Sequence, residues 1–459
     1  MTGSRRKTRI NMNALTQYID LYDSARQAIH ASGGDPLNSM RDECRRILGM
    51  DGAGLPTKHT EGFEKTSIED MFAPDYGVNV NRIGIPVDIA ATFRCDVPNL
   101  STLQATVVND KFIPSAGLDD KLPSGIRFMS LAHASKEMPD VVSRYYGSAA
   151  TLEDESVALN TMMVQDGVFI HIPRGVRSDK ALQLVNIFSS PTPLAAFRRV
   201  LIVAEEDSEL KLLVCDHTQD RTQSYLASQV IEIIAGRNAC LEMCMIEESS
   251  QLTSRYSRMF VRQEQGSNVT INNTTLTCGT SRNDFDVELA GEHCECHLSG
   301  MAIGSGHMHI DNDTSVFHRA PRCKSNQLFK YVLDEESDGA FEGSITVTPS
   351  APYTEAYQSN RNILASGSAR MHCKPQLIIN NDEVKCSHGA TTGQIDEDAL
   401  FYMRSRGIPE EEGRRMLMQA FMIDVIDTVR IPGLQDRLRH LVDRRFSGSL
   451  GNCETCRTI

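Results

Sequence analysis

The chain has 459 residues, 40% of them apolar and only 6% aromatic, with no Trp. Forty-seven basic side chains face 60 acidic ones, a formal charge of −13, which argues against a nucleic-acid backbone or an anionic membrane as the main partner. The thirteen cysteines are odd in number and spread out, with no secretory leader and no apolar run near the ~18 residues of a membrane span, so a reducing, cytoplasmic setting with free thiols is expected.

Residues 11–50 carry helical periodicity through Leu15, Ile19, Tyr22, Ala25 and Ile29, then Cys44 and Leu48. Gly33-Gly34-Asp35-Pro36 divides this stretch into two helices. Residues 50–100 are rich in Gly, Pro and Asp, and 101–160 are mixed. From about 165 short β-prone runs alternate with compact polar turns, as in VLIVA-EEDSE-LKLLV and QVIEIIA-GRNA-CLEMCMI. Turn centres fall near 176, 207, 237, 265, 292, 338 and 367. The interval is roughly 27–31 residues, with one longer gap read as an insertion.

A fixed period of this size predicts a solenoid, in which each strand–turn–strand unit buries its apolar face only against its neighbours. A β-sandwich competes, but it needs hairpin turns at closer spacing throughout. After Gln394 the pattern is helical again. Asp396, Glu397 and Asp398 suit a first turn, Gly407 a C-terminal cap, and Pro409 a second helix start. Met416, Ala420 and Ile423 make one stripe of that second helix, flanked by Leu417, Phe421 and Val425, and a third helix runs over 434–446. The expected organisation is a helical or mixed head over 1–150, a β-solenoid core over 151–394, and a helical segment over 395–459 that caps the last coil.

Four clusters carry candidate chemistry. EVKCSHGATTGQ (383–394) places Cys386 and His388 two apart, hence on one face of a strand. Thiolate and imidazole suit iron, zinc or copper(I), yet two ligands do not close a site. Core filling and a nucleophile–base pair stay open as readings. In HCECH (293–297), alternation separates His293, Glu295 and His297 from Cys294 and Cys296. In HMHID (307–311), His307, His309 and Asp311 share a face, and CETC ends in the Cys453–Cys456 pair. Ordinary structural roles compete for all three. No GxxxxGK[ST], GxSxG or HExxH is present, so nucleotide energy would have to come from a partner.

The run KPQLIINNDEVKCSHGATTGQIDEDALFYMRSRGI (374–408) resembles the signature of the SufB/SufD family of iron–sulfur cluster assembly proteins. TEAYQSNRNILAS (354–366), HRAPRCKSNQLFKYVL (318–333) and GLPTKHTEGFEKT (54–66) extend the likeness over most of the chain. Gly389, Gln394 and FYMRSRG side with the SufD branch, while Phe63 stands where Trp is common and Glu355 where Asp is usual.

The resemblance implies a right-handed parallel β-helix between helical domains and a scaffold role rather than an enzyme. It implies pairing with SufB through the β-helix end and binding of the SufC ATPase by the C-terminal helices, with Phe401, Tyr402, Arg404 and Arg406 as the contact candidates. It further implies a transient iron–sulfur cluster or iron shared with SufB at His388, with Cys386 beside it, and a homodimer when the chain is isolated. Flavin accompanies some complexes of the family, and no residues here are assigned to it. The alternatives from composition alone are a stand-alone β-helix metal-binding protein or a carbohydrate-active enzyme. The absence of Trp and of an evident carboxylate pair speaks against the latter.

Overall fold

A computed structural model describes residues 13–89, 102–431 and 433–448. Strands alternate between two sheets along the chain, one of ten strands and one of nine. Within each sheet the coils stack in parallel and in register: Ser254 pairs with Thr280, Thr280 with His309, and His309 with Asp338. The result is a mainly β solenoid of about eight turns. The pairing reaches back to Leu103–Val108, and the antiparallel strands Lys111–Pro114 and Arg127–Ser130 finish the N-terminal edges of the two sheets.

Between the sheets lies an aliphatic core, with Ile170, Ile202, Leu212, Ile233, Met243 and Val287 among its members. Strand alternation explains it, since every second residue faces inward and one coil's inward residue stacks on the next.

One long edge of the solenoid is a ladder of left-handed corners. Gly175, Asp207, Asn238, Gly266, His293, Arg322 and Tyr353 all have φ between 56° and 70°. Each corner N–H donates to a carbonyl of the following coil: Asp207 to Arg237, Asn238 to Gln265, His293 to Pro321, Arg322 to Pro352. Asp and Asn tolerate this conformation better than most residues. His293, Arg322 and Tyr353 pay roughly 1–2 kcal/mol each for it, offset by the repeated hydrogen bond. The interval between 292 and 338 holds no insertion. The ladder simply continues at Arg322 and Tyr353, while the turns near 338 and 367 belong to the opposite edge, with Gly306 and Glu335.

Helices cover both outer faces. Ala14–Ser32, Asp35–Leu48 and the buried helix Glu155–Met163 pack on Phe197, Leu226 and Tyr256 of the nine-stranded sheet. Asn13 caps the first of these through Oδ1 at 2.9 Å from Leu15 N. At Gly34 a side chain would put Cβ 2.5 Å from the Ser135 carbonyl, so the break between the first two helices is also a close crossing. The buried pair Arg199–Glu232 joins this region to the sheet, with Glu232 also accepting from the Gly147, Ala149 and Ala150 amides.

The C-terminal helices do not cap the last coil. Glu410–Ile426 and Leu434–Phe446 fold back along the outer face of the ten-stranded sheet, where Met422, Val425, Leu438 and Leu441 meet Leu213, Ile246, Met301 and Ile303. Asn272 Nδ2 pins the Val425 carbonyl at 3.1 Å, Lys330 Nζ the Phe421 carbonyl at 2.7 Å, and Arg445 Nε the Leu276 carbonyl at 2.7 Å. The mid-solenoid face is apolar and the last coil is not, so covering the former removes more apolar surface from water. The stripe of Met416, Ala420 and Ile423 is accordingly the outward one. No described helix is long and apolar enough to cross a membrane.

Candidate functional site at the open coil

Arg370–Ile379 and Lys385–Gly393 are the last strands of their sheets, and no described strand lies beyond either one. Asn381 shapes the turn between them. Its Oδ1 accepts from Glu383 N at 2.9 Å, and its Nδ2 reaches the Pro349 carbonyl at 2.9 Å, a local bond pattern that favours Asn in turns. Lys385 N then bonds to the Thr354 carbonyl at 2.8 Å and opens the final strand.

Register decides which way the candidate residues face. Cys386 stacks on Ala356 and His388 on Gln358, both buried in the interior. Followed coil by coil, the column that ends in His388 reads Leu212, Met243, Ile271, Leu298, Gln327, Gln358. The column that ends in Cys386 reads Leu210, Leu241, Val269, Cys296, Ser325, Ala356. The interior thus changes from aliphatic to polar as it approaches the open end. Gln358 Nε2 donates to Gln327 Oε1 at 3.1 Å, and Thr314 Oγ1 to the same oxygen at 2.6 Å.

Cys386 and His388 therefore point to the inner side of the tube. With no coil above them, however, His388 is exposed and Cys386 only partly covered. Cys386 packs with Leu377 and Val384 against Ile345 and Val347. Burial pushes its thiol pKa up, against a smaller lowering from the Ala356 backbone, so the thiol is protonated at neutral pH. Both candidates sit at a mouth, where a neighbouring molecule can reach them. Among the described residues no group of three or more His, Cys, Asp or Glu is placed to hold a metal ion. Among the described residues, Cys386 and His388 alone do not complete a metal site.

The other clusters resolve into structure. His293 is a left-handed corner, Cys294 and Cys296 are buried, and Asn268 Nδ2 donates to Glu295. His307 lies in a turn beside Glu336, whereas His309 and Asp311 are joined by Thr66 Oγ1 at 2.7 and 2.6 Å. Asp311 is also paired with Arg282 at 2.7 Å, and the Phe63 ring lies over that guanidinium. These contacts clamp the segment around 60–66 to the solenoid. Cys453 and Cys456 lie outside the described residues.

On the helix Glu397–Ser405 only Leu400 is buried. Phe401 and Tyr402 are 72% and 60% exposed, with Arg406 stacked on Tyr402 and Arg404 paired to Glu410 at 3.3 Å. On the next helix Met416 and Ile423 are exposed as well. Cys373, Asn360, Asn362 and Thr392 also line the mouth, and reading the sequence motif by motif missed them. Only the coil-to-coil register brings them together.

Two family models cover most of the chain. Residues 187–421 match the model described as "SUF system FeS cluster assembly, SufBD core domain", and residues 12–184 match "SufBD protein N-terminal region". The chain belongs to the SufB/SufD family. An iron–sulfur cluster assembly SufBD family protein of Synechocystis is 27% identical, over 88% of each chain. The iron–sulfur cluster assembly protein SufD of Escherichia coli is 24% identical, over 95% of this chain and 97% of its own. The SufD of Bacillus subtilis is 25% identical, over 72% and 76%. Within the SufB/SufD frame, the open coil is the last part of the solenoid core, and the exposed helix follows it directly.

Proposed function

We propose that the chain is a scaffold subunit of the Suf machinery with no catalytic centre of its own. In this reading it pairs with SufB through the open coil, and a nascent cluster or its iron forms between the two chains. The observation that supports it is the exposure of His388 and the half-exposure of Cys386 at an end that no described helix covers. An uncovered strand edge presents unpaired N–H and C=O groups that another strand can satisfy. Here that edge adjoins one imidazole and one thiol, an incomplete ligand set that a partner completes.

The chemistry suits a cargo that must leave. Imidazole in place of thiolate raises the potential of a cluster and lowers the anionic field at iron. Ligands split between two chains make affinity depend on how the chains sit. ATP binding by SufC, docked on the surface around Phe401, Tyr402, Arg404 and Arg406, would shift that position between two states. The bound iron or cluster is substrate in this scheme, and neither is held by this chain alone.

Co-expression with SufB and SufC tests the proposal. His388→Ala is expected to leave the three-protein complex intact and to lower cluster formation about tenfold or more. Unchanged cluster formation, or failure of the native chain to co-purify with SufB, overturns it.

A further inference from the structure

Two thiols stack on successive coils beneath the ladder of left-handed corners. Glu295 N bonds to the Ser267 carbonyl at 2.9 Å, Lys324 N to the Cys294 carbonyl at 2.8 Å and Glu355 N to the Cys323 carbonyl at 3.1 Å. Ser267, Cys294, Cys323 and Thr354 thus form one column, each just ahead of its strand, and all four are buried. Elsewhere in this column a hydroxyl turns back on its own corner. Ser208 Oγ donates to the Glu205 carbonyl at 2.6 Å, and Thr354 Oγ1 to the Ala351 carbonyl at 2.9 Å. Cys294 and Cys323 converge instead: the sulfur of each lies 3.1 Å from the Gly291 carbonyl oxygen. Adjacent parallel coils are about 4.8 Å apart, inside the roughly 4.4–6.8 Å that the Cα atoms of a disulfide span. Side-chain rotation alone, without a shift of either coil, is then enough to join the sulfurs.

The pair also has unequal members. A hydrogen bond from Cys323, helped by the Ser267 hydroxyl and the Gly291 backbone, lowers the Cys294 pKa to about 7 against the opposing effect of burial. The same contact with Cys294 pushes the Cys323 thiol up. One thiolate therefore has its proton donor beside it near neutral pH. Access comes through the corner, where Glu292, His293 and Arg322 are exposed. His293 N reaches the Pro321 carbonyl at 3.3 Å, the longest bond of the ladder, against 2.6–3.0 Å at the other six corners. Opening this one corner uncovers the sulfurs without unfolding the solenoid.

We infer that Cys294 and Cys323 are a redox site of the folded chain, at which a hydroperoxide turns two thiols into a disulfide clasp between successive coils. The Cys294 thiolate attacks one peroxide oxygen. The S–O bond forms, the O–O bond breaks, and the departing oxygen takes the Cys323 proton. The Cys323 sulfur then displaces hydroxide from the Cys294 sulfenic acid, and the hydroxide takes a proton from solvent. With hydrogen peroxide the products are the disulfide and two waters, two electrons having passed from the sulfurs to the peroxide. A dithiol reverses the step by thiol–disulfide exchange.

The test uses the full-length reduced chain near neutral pH, hydrogen peroxide as oxidant, and unreduced peptide mapping by mass spectrometry, with fragmentation that tells Cys294 from Cys296. A Cys294–Cys323 cross-link is expected to form about tenfold faster than any other cystine of the chain. Dithiothreitol should reverse it, and circular dichroism should stay unchanged. Serine suits this column, as Ser208 and Ser267 show, so single Cys→Ser variants keep the fold. Cys323→Ser is expected to leave a sulfenic acid at Cys294 that dimedone traps, and Cys294→Ser to leave Cys323 unoxidised. A cross-link that forms only in urea overturns the site, because the sulfurs then meet only after unfolding. Oxidation confined to other thiols, such as the exposed Cys240, overturns it too. So does oxidation of Cys323 at the native rate in Cys294→Ser.

Discussion

At the scale of single residues, the buried polar side chains set the chain's response to pH. His318 is fully buried in the core, with Nε2 2.9 Å from Ser325 Oγ and Nδ1 without a partner. Burial lowers its pKa to about 4. The unfolded chain takes up a proton near pH 6.5 and the folded chain does not. Stability from this group is therefore complete above about 6.5 and is lost as pH falls towards 4. Between pH 7 and pH 5 the loss is about 2 kcal/mol. Urea unfolding at the two pH values checks it: His318→Gln should show a smaller loss over that interval than the native chain. A buried imidazole of this kind looks, in a sequence, the same as the exposed His388. The difference is one of position along the solenoid, since both residues face inward and only the second lies on the last coil.

At the scale of elements, the C-terminal helical pair behaves as a strap along the ten-stranded sheet. Its hold is mainly apolar, and Leu438 is fully buried at the seam. Leu438→Ala is expected to cost about 2–5 kcal/mol and to raise the rate of limited proteolysis within 410–446 before the solenoid itself is cut. Simultaneous loss of strap and solenoid would show instead that the two unfold as one unit. The helix Glu410–Ile426 also shows that periodicity alone does not choose the buried face. Met416, Ala420 and Ile423 are regularly spaced and apolar, yet Met422, Val425 and Ile426 are the buried ones. Both stripes satisfy helical periodicity, and only the sheet decides between them. Met416, Ala420 and Ile423 remain outside, and the surface proposed for SufC lies on the preceding helix.

At the scale of the whole molecule, the solenoid has a closed end and an open end. Antiparallel strands and helices finish the N-terminal end, while among the described residues nothing covers the edges and inner face of the C-terminal coil. Natural solenoids cover such ends, so a second copy of the chain is expected to cover the open end of the isolated protein. Sedimentation should show a concentration-dependent dimer of the isolated chain. Ile379→Lys, at an exposed residue on the last coil, should shift it to monomer without lowering the unfolding midpoint. A dimer unaffected by this change would place self-association elsewhere.

The sequence by itself determined the repeat, the alternation of strands with tight corners, the helices on either side and the family. These depend on neighbours within one coil, and a period near thirty residues survives in the order of residues. It also pointed to Cys386 and His388, because two residues apart on a strand means one shared face. Only the tertiary structure decided that the C-terminal helices lie along the sheet and leave the last coil bare, and that Cys373, Asn360, Asn362 and Thr392 meet at its mouth. Those outcomes depend on which surfaces compete for burial and on coil-to-coil register, and neither is written in the spacing of any one segment.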